Sequence, residues 1–250
     1  MSSAMRVLYL ITARGGSKSI PKKNLAHIGG LSLVGFKARA AQAAESCARL
    51  IISTDDPEIQ AEARALGVEV PFTRPAELAS DTASSDDVVR HAMAWAESQE
   101  GPSPYDAVML LEPSSPFARA EDFDGAVAVM AKHNANVVVG MRPTEVASVF
   151  VGPMDDAGRI TQIIDQMASL KGLRRQDQRP EYTMNGALYL MRWDYYKRVG
   201  ARYADRDHTF GYPMDRFHSI EIDEPVDLDV ARTFVERGRI DLAHWSRAGV

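Results

Sequence analysis

VLYLITARGGSKSIPKKN, residues Val7–Asn24, joins an apolar run to a basic loop. The apolar part, Val7–Ile11, is typical of a buried strand. From Arg14 to Asn24 the loop has four cations and no acid, although the whole chain carries a net charge of −5. Paired glycines allow a tight turn that exposes backbone N–H groups, and such amides beside Arg and Lys suit a polyanion such as a nucleoside triphosphate. The stretch predicts a phosphate-binding loop, with a solvated basic turn as the alternative.

Strand-like and helix-like stretches alternate through the chain beyond this loop. Further strands are predicted at 50–53, 68–72, 107–111, 136–140, 187–190 and 219–223. Helices are predicted at 32–45, 57–66, 84–97, 121–132, 193–199 and 225–236. The βαβα order of the first half predicts an α/β fold with a doubly wound, mostly parallel sheet. Such a sheet binds its ligand at the carboxyl ends of the strands.

The alternation breaks between Met141 and Met184, where prolines, glycines and mixed charge dominate. Two pieces in this region, 146–151 and 159–164, have the pattern of a hairpin. The region is too long for a plain loop in a compact domain, so it is a lid, an oligomerisation element or both. We therefore expect a single domain over residues 5–250, with 142–184 as an insert.

Composition excludes several classes of protein. A net charge of −5 argues against nucleic-acid binding, and the single cysteine, Cys47, cannot form an internal disulfide. No apolar run approaches the roughly 20 residues that span a bilayer, and no export signal is visible, so we expect a cytoplasmic protein without membrane partners. The loop has neither the G-x-G-x-x-G spacing of dinucleotide-binding proteins nor the G-x-x-x-x-G-K-[ST] of a P-loop.

Two acidic residues near the end of the chain suggest a metal site. In the predicted strand Ser219–Asp223, alternation puts Glu221 and Asp223 on one face, with Cα atoms roughly 6–7 Å apart. Two carboxylates that close repel each other unless a cation lies between them, and hard oxygen ligands suit Mg²⁺ bridged to substrate phosphates. The alternative is that Asp223 only caps the helix that begins at Pro225.

Two further stretches belong at the carboxyl edge of the sheet. Residues 74–85, RPAELASDTASS, form a hydroxyl-rich loop that introduces a helix, and helix N-termini attract anions. Simple N-capping by Asp81 or Ser84 explains that spacing equally well. Residues 110–117, LLEPSSPF, end the most apolar strand, which puts Glu112 where this fold binds its ligand.

These blocks together resemble the acylneuraminate cytidylyltransferases, which make CMP-sialic acids and related CMP-nonulosonates. The resemblance rests on RGGSK followed by IPKKN in the first loop, and on RPAELASD, LLEPSSP, SIEID and the run RRQDQRPEYTMNGA at 174–187. It covers Val7 to about Thr233. It implies a nucleotidyltransferase of Rossmann-like fold that uses CTP and Mg²⁺, acts on a sialic-acid-like nonulosonate and forms a homodimer through the insert.

The resemblance also implies a role for each matching residue. Catalytic roles fall to Arg14, Lys18, Lys23 and Asp223, and CTP contacts to Arg14, Asn24, Arg74 and Ser85. The acceptor sugar is assigned to Glu112, Arg175 and Asn185, and the metal to Asp223 and Glu221. Glu112 departs from the family pattern, which has Gln there, and Asn185-Gly186 is equally explained as a tight turn.

Three interpretations of the function remain open from the sequence alone. The acceptor is an N-acylneuraminate in the favoured interpretation, and a legionaminic, pseudaminic or KDO-like acid in the nearest alternative. A chain that has kept the fold without catalysis is the alternative from another class, although the two acids of 219–223 and the basic loop argue against it.

Overall fold

The computed structural model describes residues 5–168 and 180–246. Its strands, in chain order, are β1 (Val7–Thr12), β2 (His27–Ile28), β3 (Leu31–Ser32), β4 (Cys47–Ser53), β5 (Ala107–Leu111), β6 (Val137–Pro143), β7 (Tyr182–Arg192) and β8 (Thr209–Pro213). Its α-helices are α1 (Leu33–Ala43), α2 (Pro57–Ala65), α3 (Ser85–Glu100), α4 (Ala120–His133), α5 (Thr161–Ala168), α6 (Trp193–Val199) and α7 (Pro225–Glu236). None of the described helices is long and apolar enough to cross a membrane.

The main sheet has six strands in the order β4-β1-β5-β7-β6-β8. The pairs β1–β4, β1–β5 and β6–β8 are parallel, whereas β7 runs antiparallel to both of its neighbours, β5 and β6. One reversed strand in an otherwise parallel sheet confirms the predicted α/β class. Strands β2 and β3 form a separate two-stranded hairpin.

Both faces of the sheet are covered, because alternate residues of each central strand pack into different layers. From β1, Val7, Tyr9 and Ile11 join one apolar cluster, and Leu8 and Leu10 join the other. The first cluster contains buried residues of α1, α4 and α7, and the second contains those of α3 and α6. The result is a three-layer αβα arrangement in which β1 and β5 are the most enclosed strands.

Helix ends follow local chemistry that the sequence carries. The Asp56 side chain accepts hydrogen bonds from the N–H groups of Glu58 and Ile59, with Pro57 at the first helical position of α2. Gly67 follows that helix with φ +78°, a conformation in which a side chain is strained. The predicted bounds of α6 and α7 match the observed ones.

Three sequence predictions of local structure are wrong. Residues 68–72 form only one isolated bridge, Ile51 with Glu69, rather than a strand. The expected hairpin in the insert is instead a 3₁₀ turn, Ser148–Phe150, and the helix α5.

The third wrong prediction is the last strand. Residues 219–223 form no strand, because β8 already occupies the sheet edge beside β6. This segment crosses the carboxyl end of β5 instead, where the Ile222 N–H donates to the Ser114 carbonyl at 2.7 Å.

The predicted insert, 142–184, leaves the sheet at the end of β6 and returns at the start of β7. Its helix α5 has no buried residue. The single-domain organisation and the packing of this insert on a second subunit stay predictions.

Candidate active site

Two adjoining clefts lie at the carboxyl ends of β1 and β5. The first has a volume of about 300 Å³ and the second of about 220 Å³. Arg14, Lys23 and Asn24 line both of them. Of the other predicted site residues, Arg74, Ser85 and Glu112 line the first cleft, and Lys18 and Asp223 line the second. The tertiary structure therefore brings together residues that lie as far apart in the chain as Arg14 and Asp223.

The basic loop is held in shape by its own polar groups. The Asn24 amide is buried and donates to the Arg14 carbonyl at 2.9 Å, which closes the loop across ten residues. The Gly15 N–H donates to the Asp55 carboxylate at 3.1 Å, so that amide has a partner within the chain. A Cβ at Gly15 would lie 2.5 Å from Asp56 Oδ2, and the approach of the loop to α2 therefore requires glycine. The loop presents cations, more than free amides, to a ligand.

Asp81 joins two of these cations. Its carboxylate accepts from Arg14 at 2.7 Å and from Lys18 Nζ at 2.8 Å. Hydrogen bonds from Lys18 and then Arg14 hold the pKa of Asp81 below its usual value. An incoming polyanion therefore competes with Asp81 for the same two side chains.

Lys23 connects the first loop to the acidic segment near the end of the chain. Its Nζ donates to the Ile222 carbonyl at 2.9 Å and to Asp223 Oδ1 at 3.1 Å. The Lys23 side chain is only 17 % exposed, whereas that of Asp223 is 71 % exposed at the mouth of the second cleft. Asp223 is thus accessible to a ligand, and the capping of α7 falls to Glu224 and Asp227 instead.

Arg74 and Ser85 form one wall of the first cleft. Arg74 is buried and donates to both the hydroxyl and the carbonyl of Ser53, and burial lowers the pKa of its guanidinium to about 10. The N-cap of α3 is Ser84, whose Oγ accepts from the Asp86 N–H at 3.0 Å. Ser85 is therefore the first residue of the helix, and neither it nor Asp81 is used for capping.

Glu112 stands where β5 ends, half-buried in the wall of the first cleft. Burial raises the pKa of its carboxyl group, while the cations of Arg202 and Lys37 oppose that rise. Glu221 lies close by, with its Oε1 accepting from the Gly186 N–H at 2.9 Å. A Cβ at Gly186 would lie 2.8 Å from Glu112 Oε2 and 3.2 Å from Glu221 Oε1, so a side chain there would displace the Glu112 carboxylate and crowd that of Glu221.

One predicted acceptor-site residue, Asn185, lines neither cleft. The Asn185 side chain is 1 % exposed, accepts from the Ala187 N–H at 3.1 Å and donates to Met214 Sδ at 3.5 Å. In this structure it stabilises the start of the buried part of β7. Arg175 lies outside the described residues.

Sequence reasoning missed three charged residues around the site. Asp81 was considered only as a helix cap, and Lys37 and Arg202 were not considered at all. Lys37 lies among the apolar residues of α1 together with a second cation, Arg39, so the sequence does not show that Lys37 is the one buried completely. Arg202 gives no sequence signal, because its position beside Tyr189 and Asp86 depends on how the chain returns after α6.

Comparison with known proteins identifies the family of this chain. A family model described as "Cytidylyltransferase" matches residues 8–198. The chain belongs to the cytidylyltransferase family. Family membership confirms the resemblance found in the motifs and places the chain among nucleotidyltransferase enzymes.

Two sequence relatives cover most of this chain. The N-acylneuraminate cytidylyltransferase of Escherichia coli O18:K1:H7 is 27 % identical over 244 residues, which cover 95 % of this chain and 54 % of that protein. The CMP-N,N'-diacetyllegionaminic acid synthase of Legionella pneumophila is 27 % identical over 239 residues, which cover 93 % of this chain and 97 % of that protein. The chain thus spans about half the length of the first relative and nearly all of the second.

Solved structures confirm the fold. A CMP:2-keto-3-deoxy-manno-octonic acid synthetase complexed with CTP superposes with a TM-score of 0.68 at 18 % identity, covering 93 % of this chain and 99 % of that one. The 4-diphosphocytidyl-2C-methyl-D-erythritol synthase from Anaerococcus prevotii gives a TM-score of 0.64 at 12 % identity, covering 94 % and 97 %. The Rossmann-like nucleotidyltransferase fold predicted from the sequence is therefore the observed one.

The position of Asp81 predicts that this residue weakens nucleotide binding. Asp81→Asn removes the charge that occupies Arg14 and Lys18, so the Kd for CTP should fall about threefold at low ionic strength, the scale of exposed ion pairs. Isothermal titration calorimetry measures this change. The control is Glu77→Gln, an exposed acid of the same loop that makes no ion pair with the cations of the cleft. An unchanged or weaker affinity in Asp81→Asn would contradict the competition.

Proposed function

We propose that this protein transfers CMP from CTP to the anomeric hydroxyl of a sialic-acid-like nonulosonate and releases pyrophosphate. The observation that carries this proposal is the pair of adjoining clefts that share Arg14, Lys23 and Asn24. One cleft offers hydroxyl, amide and guanidinium groups for a nucleoside, and the other offers cations for its phosphates. The names of the sequence relatives support a CMP-nonulosonate product.

The triphosphate is assigned to the basic loop. Arg14, Lys18 and Lys23 neutralise its charge while the acceptor hydroxyl oxygen bonds to the α-phosphorus and the bond from that phosphorus to the departing oxygen of pyrophosphate breaks. Little covalent work falls to the protein in such a transfer, because positioning and electrostatic stabilisation supply most of the rate. The Lys23 side chain is already oriented by the Ile222 carbonyl, so little reorganisation is needed when the phosphates bind.

The nucleoside is assigned to Asn24, Arg74 and Ser85. All three line the first cleft. Asn24 and Arg74 are buried and hydrogen-bonded to the protein, so they keep the walls of the cleft rigid. Ser85 has its hydroxyl at the N-terminus of α3, where the helix dipole favours a polar or anionic group.

The residues present fit a Mg²⁺ ion bound together with CTP. Mg²⁺ is usually held by one or two carboxylates, waters and substrate phosphates, and does not need a cage made of protein alone. Within the described residues there is no group of three acidic, His or Cys side chains that would form such a cage. Asp223 is exposed in the phosphate cleft, and Glu221 has one oxygen free of the Gly186 N–H. Asp223 would hold the ion, whose chemistry is to neutralise phosphate charge, and Glu221, which lines neither cleft, is proposed as its second ligand.

The acceptor is assigned to Glu112 and Arg175, with an N-acylneuraminate as the favoured sugar, because Asn185 is buried and hydrogen-bonded within the protein. A second candidate is the same reaction on a legionaminic, pseudaminic or KDO-like acid. Glu112 stands where the family motif has Gln, and this difference at the acceptor site favours the second candidate. Because CTP is the co-substrate in either case, we infer a cytoplasmic location.

We also propose that the insert mediates a homodimer. The insert and the start of β7 carry most of the large apolar side chains that the described residues expose, among them Val146, Phe150, Val151, Met154, Ile160, Ile164, Met167, Tyr182 and Met184. An exposed apolar surface of this size is typical of a protein–protein interface. In the resembled family this segment packs on a second subunit, and the same packing would cover it here.

The proposed reaction is tested by pyrophosphate release. The protein is incubated with CTP, Mg²⁺ and one of a panel of sugar acids: N-acetylneuraminic, legionaminic, pseudaminic and 2-keto-3-deoxy-octonic acid. At least one acid should give a CMP conjugate by mass spectrometry together with stoichiometric pyrophosphate. If CTP binds and no acid reacts, the non-catalytic alternative replaces the enzyme proposal.

Asp223→Asn should reduce kcat at least about 100-fold, because it removes a full charge from the phosphate cleft without changing the side-chain shape. The midpoint of thermal unfolding should stay close to that of the wild type, since the Asp223 side chain is 71 % exposed. Asp229→Asn on the exposed side of α7 is the matched control and should leave kcat unchanged. Wild-type turnover in Asp223→Asn would remove this residue from the site.

Ile164→Asp should shift the protein from dimer to monomer in sedimentation velocity, because it puts a charge into the apolar surface of the insert. Val226→Asp is the matched control, since Val226 is similarly exposed, at 63 % against 52 % for Ile164, but lies on α7. The control should remain dimeric. A wild-type protein that sediments as a monomer at micromolar concentration would refute the dimer.

A further inference from the structure

Lys37 is a completely buried cation behind the first cleft. It lies in α1 with no exposed surface, and its Nζ donates to the Ala187 carbonyl at 2.7 Å. The same Nζ lies 5.6 Å from the centre of the Phe123 ring. One carbonyl and one aromatic face do not replace the water that an ammonium group loses on burial. Lys37 therefore needs a negative charge nearby.

The backbone that Lys37 contacts is the backbone against which Glu112 packs. Ala187 follows Gly186, and a Cβ built on Gly186 would lie 2.8 Å from Glu112 Oε2. Ser115 Oγ is 3.2 Å from the same point and is buried without a hydrogen-bond partner. The Gly186-Ala187 segment thus lies between the ammonium of Lys37 and the carboxylate of Glu112.

The neighbouring charges have other partners. Asp122 accepts from Arg119 at 3.1 Å and 3.3 Å, and Arg202 pairs with Asp86 at 2.8 Å. Among the described residues, no hydrogen bond reaches the Glu112 carboxylate, and the only one from Lys37 Nζ goes to Ala187. These two opposite charges lie on either side of the Gly186-Ala187 segment.

The titration behaviour of the two groups agrees with this pairing. Burial lowers the pKa of Lys37 to about 7, and Glu112 is the larger of the two negative charges that oppose the decrease. Burial raises the pKa of Glu112, and Arg202 and then Lys37 oppose that increase. Each group therefore favours the charged form of the other.

We propose that Lys37 is the buried counter-charge of Glu112 and, through it, a positioning residue for the acceptor sugar. The inference rests on the proposed function, because the first cleft must receive an anionic acceptor. An unbalanced carboxylate at Glu112 would repel a sugar acid, and Lys37 offsets the negative charge of Glu112 in a region that also contains Glu221 and Asp223. The ionised Glu112 accepts hydrogen bonds and cannot donate them. The pair therefore selects an acceptor that presents a hydroxyl or N–H group to Glu112.

A double-mutant cycle tests the pairing. Lys37→Met and Glu112→Gln each remove one charge at nearly constant volume, and the double variant removes both. Each single variant should raise the KM for the acceptor about tenfold, with the KM for CTP changed less than about twofold. The double variant should bind the acceptor better than Lys37→Met alone. Lys132→Met, at an exposed position of α4, is the control and should match the wild type.

Strictly additive effects in this cycle would overturn the proposal, because a lysine that only binds the Ala187 carbonyl has no reason to couple to Glu112. Equal losses in the KM for CTP and for the acceptor would also overturn it, since they would indicate general damage to the site.

Two further measurements do not depend on turnover. The midpoints of thermal unfolding of the same four proteins should show the same coupling, with the double variant more stable than Lys37→Met. If Lys37→Met does not fold, NMR of ¹³C-labelled lysine in Glu112→Gln should show the pKa of Lys37 lowered further, because its anion is gone. An unchanged Lys37 pKa would overturn the pairing. A wild type that shows this coupling but accepts no sugar would refute the proposed function alone.

Discussion

The parallel pairing of β1 with β5 is the constraint on which the rest of this structure depends. Ile11 lies beside Leu111 in that pairing, so the basic loop and Glu112 leave the sheet side by side at the same edge. Both strands are buried on both faces and carry apolar side chains throughout, so the polar groups of the site follow their carboxyl ends. Hydrophobic burial in two strands therefore determines where the polar groups of the site lie.

The site is built from balanced charges. Asp81 binds Arg14 and Lys18, and Asp223 binds Lys23, so each cation at the mouth of the second cleft has an acid close to it. These exposed pairs contribute little stability. They keep the cations oriented and let a polyanion exchange with a side-chain carboxylate when it binds. If the cations had no acidic partners, their long side chains would become ordered only when the polyanion binds, at an entropic cost.

The reversed strand β7 connects the two faces of the sheet. Its Gly186 lies between Glu112 and Glu221 on the side of the cleft, while the carbonyl of its neighbour Ala187 receives Lys37 from α1 behind the sheet. A side chain at this point would displace the Glu112 carboxylate and crowd that of Glu221. A charge on the helix layer, such as that of Lys37, thereby affects the electrostatic potential in the cleft.

The motifs by themselves determined the fold class, the basic loop after the first strand, the family and the residues Arg14, Lys23, Arg74 and Glu112 that converge in the clefts. These are local or periodic properties: strand burial, cap residues such as Asp56 and the charge of a continuous loop. The pairing of Asp81 with Lys18, the burial of Lys37 and the inward orientation of Asn185 were decided only by the tertiary structure. The path of 219–223 was also decided there, since its alternation suits a strand but β8 already fills the edge of the sheet. Such features depend on contacts between residues far apart in the chain, and local sequence patterns do not reveal these contacts.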